Sequence, residues 1–165
     1  MLIMETRRLL LQHAHVNDSA YFFRQLNSAG WLAYIGDRGI RTPDDAGNYI
    51  QNSILKSYEA YGFGLYKMVL KREKRPVGLC GLVKRPELDH PDIGFALLPE
   101  YEGYGYAFEA AQATMRYARL QLGLDSILAI TKANNAKSKK LLQKIGLKQT
   151  GTLALGDEEL LLYSG

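Results

Sequence analysis

The sequence predicts an α/β (α+β) domain built on a mixed, largely antiparallel sheet of six to seven strands with flanking helices. Three observations carry that prediction. Apolar runs of strand length recur along the chain and are separated by stretches whose apolar residues follow helical spacing. Two pairs of such runs are joined by charged or glycine turns, as in antiparallel hairpins: residues 63–71 with 76–84 through Arg72-Glu73-Lys74-Arg75, and 147–153 with 159–163 through Gly156-Asp157. Between the hairpins, residues 90–122 read as a buried strand, a glycine turn and a long helix.

In chain order, residues 7–13 form a first strand with Leu9 and Leu11 on one face, and Asn17 or Asp18 caps a helix carrying Tyr21, Phe22 and Leu26. Gly30 is expected to break that helix. Trp31, Leu32, Tyr34 and Ile35 follow as a short aromatic segment ahead of the turn-rich residues 36–39. Thr42, Pro43, Asp44 and Asp45 are a strong helix start: a capping hydroxyl, proline at the first helical position, then acids where the dipole favours them. The helix runs to about Tyr61 and stops at Gly62. After the first hairpin and the polar loop 86–91 come the strand 93–98, stopped by Pro99, and a helix lasting to Gly123. Residues 126–131 are another strand, 133–144 a helix, and Gly146 its stop. No repeat, low-complexity tract or linker divides the chain, so residues 1–165 read as a single domain.

Composition narrows the function classes. Apolar content of 47% and charged content of 23% are those of an ordinary globular protein. No apolar stretch reaches membrane-spanning length, and the N-terminus lacks the basic-then-apolar order of a secretory signal, so a cytoplasmic protein that does not engage a membrane is expected. Cys80, the sole cysteine, lies in the apolar run 77–83 and reads as a buried small hydrophobe. The net charge of +4 permits anionic ligands. Lysines 132, 137, 139, 140, 144 and 148 form either a solvated helix face or a phosphate-contacting rim. No nucleic-acid module is present, and His13, His15 and His90 lack metal-ligand spacing.

The glycine turn after residue 98 is the chemically informative stretch. Backbone N–H groups at such a turn and in the first helical turn lack intrachain partners, sit at the positive end of the helix dipole and can hold phosphate. Gly103 and Gly105 let the backbone approach a ligand with no side chain between. An NTPase reading fails because Tyr106 and Ala107 stand where Lys and Ser or Thr are needed. A dinucleotide reading fits poorly: the turn comes late in the chain, Phe108 replaces the third glycine, and Asp125 opens the following strand instead of ending it.

Three stretches in this order resemble the GCN5-related N-acetyltransferases, in particular the bacterial branch that acetylates ribosomal-protein N-termini. Ile93-Gly94-Phe95-Ala96-Leu97-Leu98-Pro99 resembles that family's fourth strand. Glu102-Gly103-Tyr104-Gly105-Tyr106-Ala107 with Glu109-Ala110 resembles its pyrophosphate loop and helix. Asn135-Ala136-Lys137-Ser138 followed by Lys144-Ile145-Gly146-Leu147 resembles the segment after its fifth strand.

The resemblance implies that acetyl-CoA lies where the family's fourth and fifth strands splay apart, with its amide-rich arm pairing like an added strand. Ala96, Leu97 and Leu98 then offer backbone groups, and the amides of Gly103, Tyr104, Gly105, Tyr106 and Ala107 hold the pyrophosphate. Asn135 either bonds the pantetheine arm or caps its helix, and the two roles are compatible. A backbone N–H near Leu97 stabilises the developing oxyanion. Many relatives carry a tyrosine where this chain has Leu142; Ser138 takes over as proton donor to the departing thiolate, by likeness to the ribosomal branch. Asp92 is the candidate base, with Glu159 and His90 as further options. Trp31, Tyr34 and the 36–41 loop line the acceptor side. Glu102 departs from the family's usual Gln or Arg and is expected to point outward. The reaction implied is direct acetyl transfer to a primary amine, on a protein N-terminus or a small molecule, without metal or acyl-enzyme; a silent acyl-CoA-binding domain is the alternative. Family members often dimerise, so a homodimer is one arrangement the resemblance allows.

Overall fold

Thr42 accepts a hydrogen bond from the Asp45 N–H at 3.1 Å while the Asp45 carboxylate receives the Thr42 N–H, a capping box with proline inside it. The helix so started, α3 (Pro43–Tyr49), passes through one turn of π-helix (Ile50–Ile54) into α4 (Leu55–Tyr61) and ends on left-handed Gly62, as its sequence predicts. Residues 1–165 are described by the computed structural model, in which this helical layer covers one face of the sheet.

Two local expectations need correction. A short strand, β1 (Leu2–Glu5), precedes the expected first strand, β2 (Leu9–Gln12), and pairs antiparallel with it, so the sheet has eight strands instead of six to seven. The apolar start of the chain shows no clean alternation, and only its pairing with β2 makes it a strand. Nor does Gly30 break the first helix, α1 (Ser19–Leu26); it lies inside α2 (Ala29–Tyr34). The break comes at Asn27 and Ser28. Asn27 Nδ2 donates to Phe23 O and Ile40 O, and Ser28 Oγ donates to Gln25 O, which satisfies the end of α1.

The hairpin of β3 (Leu65–Leu70) and β4 (Arg75–Val83) follows. Gly81 is required there, because a Cβ would collide with the Gly64 carbonyl. Beyond it come β5 (Asp92–Leu97), α5 (Tyr106–Leu120), β6 (Leu128–Thr131), α6 (Ala136–Lys144), β7 (Lys148–Leu155) and β8 (Glu158–Ser164). The strand order is β1-β2-β3-β4-β5-β6-β8-β7, antiparallel throughout except between β5 and β6. The family's fourth and fifth strands are therefore β5 and β6 in this chain.

On one face, α5 lays Ala110, Ala111, Met115 and Ala118 against Leu9, Leu11, Leu82 and Ile93. The alanines let the helix axis approach the sheet closely, which fixes where its N-terminus points. The other face carries Phe22, Leu26, Trp31, Ile50 and Ile54 over Leu79 and Leu98. Cys80 is fully buried beside Thr114, and burial pushes its thiol up to about 12, so it is a packing residue. No helix is long and apolar enough to cross a membrane.

Candidate active site

The parallel pair β5–β6 touches at one register position, Asp92 opposite Leu128, with the Leu128 N–H donating to Pro91 O at 2.9 Å. From there the strands part. β6 turns its other edge to β8 along its whole length, leaving a fork that opens toward the C-terminal ends of β5 and β6. Backbone groups alternate sides along a strand, so this register decides which of them line the fork. Leu98 donates to Val77 O in the β4 direction, at 2.9 Å, whereas Pro91 accepts from β6. By that alternation Phe95 and Leu97 present their N–H and C=O to the opening. Ala96 and Leu98 face β4, so of the three residues expected to offer backbone only Leu97 does so, and Phe95 joins it. These fork-facing groups have no strand partner.

One prong of the fork leads into the cradle. After a single 3-10 turn at Pro99–Tyr101, Gly103 and Gly105 take φ of +88° and +83°, and Gly105 is the left-handed residue that starts α5. The amides that open α5 have no partner within the helix and share its positive end. Glu102 Oε2 meets Lys137 Nζ of α6 at 3.2 Å, so its carboxylate reaches across the mouth of the fork instead of pointing outward as expected.

The other prong leads to α6. Asn135 caps it, accepting from the Ser138 N–H at 3.3 Å, so the capping role expected for Asn135 is observed. Ser138 is half-buried in the first turn, and its hydroxyl makes no hydrogen bond within the chain. Leu142 is 1% exposed and belongs to the core, so it offers no group to the fork. Leu97, the cradle and Ser138 thus stand on the two prongs of one opening.

The candidate bases lie apart from one another. Asp92 sits at the closed end of the fork, buried, with Oδ1 3.0 Å from Arg85 Nε. Burial pushes its carboxyl up to about 6 against the pull of Arg85. Leu97 is five residues farther along β5, roughly 16 Å at the usual strand rise. Glu159 is exposed near the tip of the β7–β8 hairpin, beside Glu158, whose carboxylate lies 3.5 Å from Lys132 Nζ just after β6; His90 is exposed in the loop before β5. Of the residues expected on the acceptor side, Trp31 is buried in the core at 4% exposure and Tyr34 stands at the surface. The helix that holds both, α2, reaches the fork: Lys132 Nζ, just after β6, donates to Ala33 O at 2.9 Å. The 36–41 loop is braced by Asp37 and Arg41, 2.6 Å apart.

The sequence reading passed over Thr6 and Arg8. Both bond the Glu109 carboxylate in the first turn of α5. Glu109 carried a signal, an acid in a helix's first turn, but nothing in the local pattern couples it to residues a hundred positions earlier.

Comparison with known proteins agrees with this geometry. Residues 8–148 match the family model of the acetyltransferase (GNAT) domain. The chain is 26% identical over 146 residues to an uncharacterized N-acetyltransferase, YnaD, of Bacillus subtilis, covering 88% of this chain and 82% of that protein. It is 25% identical over 149 residues to the ribosomal protein uS5-alanine N-acetyltransferase of Escherichia coli, covering 89% of this chain and 66% of the relative. The crystal structure of a GNAT-family acetyltransferase from Bacillus anthracis superposes with a TM-score of 0.82 at 26% identity, covering 100% of this chain and 98% of the other. The eight-stranded sheet parted between β5 and β6, the glycine cradle at the head of α5 and the family match over 8–148 together make this chain a member of the GNAT acetyltransferase family, an acetyl-CoA-dependent N-acetyltransferase.

Proposed function

We propose that the fork between β5 and β6 is the donor site and that the acceptor is a primary amine, on a protein N-terminus or a small molecule, reached from the α2 side. The observation that carries this is the single-pair contact of β5 with β6, which leaves the peptide groups of Phe95 and Leu97 facing the opening. The uS5-alanine enzyme of Escherichia coli supports an N-terminal amine as one acceptor class. The chain acts as a single domain, residues 1–165, in the cytoplasm.

The residues divide the work as follows. Amides of residues 103–107 hold the pyrophosphate, and Phe95 and Leu97 pair with the pantetheine arm. An ammonium acceptor must lose its proton before its lone pair attacks the thioester carbon. Asp92, the one carboxylate raised toward neutrality at about 6, is the base of this reading, and from roughly 16 Å behind Leu97 it would take that proton only along a chain of waters. The N–H of Leu97 meets the negative charge that develops on the thioester oxygen. As the carbon–sulfur bond breaks, the Ser138 hydroxyl gives its proton to the leaving sulfur and is replenished by the second proton that the attacking nitrogen sheds, so the products are an amide and a thiol.

The test is thermal unfolding with acetyl-CoA, CoA, NAD or ATP at matched concentration, then an amine panel. A ligand at 100 times its dissociation constant stabilises by about 2.7 kcal/mol, a midpoint rise of about 5 to 10 °C for a chain of this size. A rise with the CoA species alone, and acetylation of a panel member that falls in Ser138→Ala, is the expected result. No response to CoA, or a larger one to NAD, sinks the donor site; binding without turnover on any amine would instead point to a silent acyl-CoA-binding domain.

A further inference from the structure

The head of α5 is tied to the start of β2 by a cluster that the donor site as described does not use. Glu109 Oε1 accepts from Arg8 Nε at 2.8 Å, and its Oε2 accepts from the Arg8 backbone N–H at 2.9 Å and from Thr6 Oγ1. Burial would raise this carboxyl, but the bonds from Thr6 and Arg8 outweigh it and hold Glu109 below the usual carboxylate range. An acid in the first turn of an anion-binding helix would repel the anion; here three donors occupy it and turn it toward the β1–β2 side.

The arginine does more than this tie requires. Its side-chain bond to Glu109 runs through Nε alone, which leaves the outer edge of the guanidinium, Nη1 and Nη2, without a partner in the chain. That edge is aimed. The guanidinium packs over the Tyr106 ring, 4.5 Å from its centroid, which sets its plane. Nη2 lies 3.4 Å from where a Cβ on Gly105 would stand, against the glycine that shapes the cradle. The side chain is one-third exposed, so a ligand can reach it.

The geometry points to Arg8 as a phosphate ligand of the donor site, its free guanidinium edge contacting a phosphate of CoA beside Gly105. The inference rests on the donor site proposed above. CoA offers two phosphate sources, the pyrophosphate and the 3′-phosphate, and a planar fork of N–H donors suits either.

Arg8→Gln separates ligand from strut. The amide nitrogen of glutamine occupies the same place along the side chain as Nε of arginine, so the variant keeps a donor for Glu109 and removes only the outer edge and the charge. Dissociation constants of the full-length protein are measured by calorimetry for CoA, 3′-dephospho-CoA and phosphate-free acetyl-pantetheine, over a range of salt. Wild type binding CoA establishes the donor site; its failure to bind would defeat that reading before this one is reached. For a phosphate ligand, Arg8→Gln weakens CoA by about tenfold or more, flattens the salt dependence and leaves acetyl-pantetheine unchanged. A loss confined to CoA assigns the contact to the 3′-phosphate; an equal loss with the dephospho form assigns it to the pyrophosphate. The inference is overturned if Arg8→Gln binds both nucleotides as wild type does, or if it weakens acetyl-pantetheine equally.

Discussion

Lys137 Nζ lies 3.2 Å from Glu102 Oε2, so one ion pair spans the mouth of the fork from the first turn of α6 to the loop ahead of α5. With side chains 84% and 40% exposed, the pair adds little to stability. Its importance is its position, since both charges stand at the mouth of the donor site proposed above.

Glu102→Gln should therefore tighten CoA binding and Lys137→Ala should weaken it, each by roughly two- to fivefold at low salt. Both effects should shrink toward nothing near 0.5 M salt, where the screening length is about 4 Å. Calorimetric titration at two ionic strengths checks this, and a Glu102→Gln variant that binds more weakly would contradict it.

Gly105→Ala should damage the cradle on two counts. Its φ of +83° strains any L side chain, and the new methyl would stand 3.4 Å from Arg8 Nη2, between that guanidinium and the cradle. A stability loss of about 1 kcal/mol and at least tenfold weaker CoA binding are expected, read by denaturant titration and calorimetry.

Leu97→Pro removes an N–H that faces the fork, so no bond to β4 is lost. If that N–H meets the oxyanion, kcat should fall by about 100- to 1000-fold while CoA still raises the unfolding midpoint. A variant with near-normal kcat would exclude this donor.

Asp92 makes a pH prediction whose sign follows from its raised carboxyl. The folded protein holds the proton more tightly than the unfolded chain, so this contribution to stability is full below about pH 4 and lost as pH rises through 6. The swing is on the order of 3 kcal/mol. Asp92→Asn should lack it, gaining on wild type between pH 4 and 7 in parallel urea titrations. The same variant should lose any limb near pH 6 in kcat/KM; a limb that persists would assign the base elsewhere.

Much of this was legible in the sequence because it is local chemistry. Thr42 with Pro43, Gly62, Asn135 and the Gly103–Gly105 turn act within a few residues of themselves, and each does in the fold what its neighbours imply. The strand–turn–helix order with its glycine turn could be read for the same reason. The tertiary structure alone decided β1, whose strand character comes from pairing with β2, and the insertion of β8 between β6 and β7. It decided that Leu97 and Phe95 face the fork while Ala96 and Leu98 face β4, because that parity depends on register with neighbouring strands. It also brought Arg8 to Glu109 and Lys137 to Glu102. Periodicity records which face a residue presents, whereas the partner across that face is set by sheet order and helix placement, which no local pattern carries.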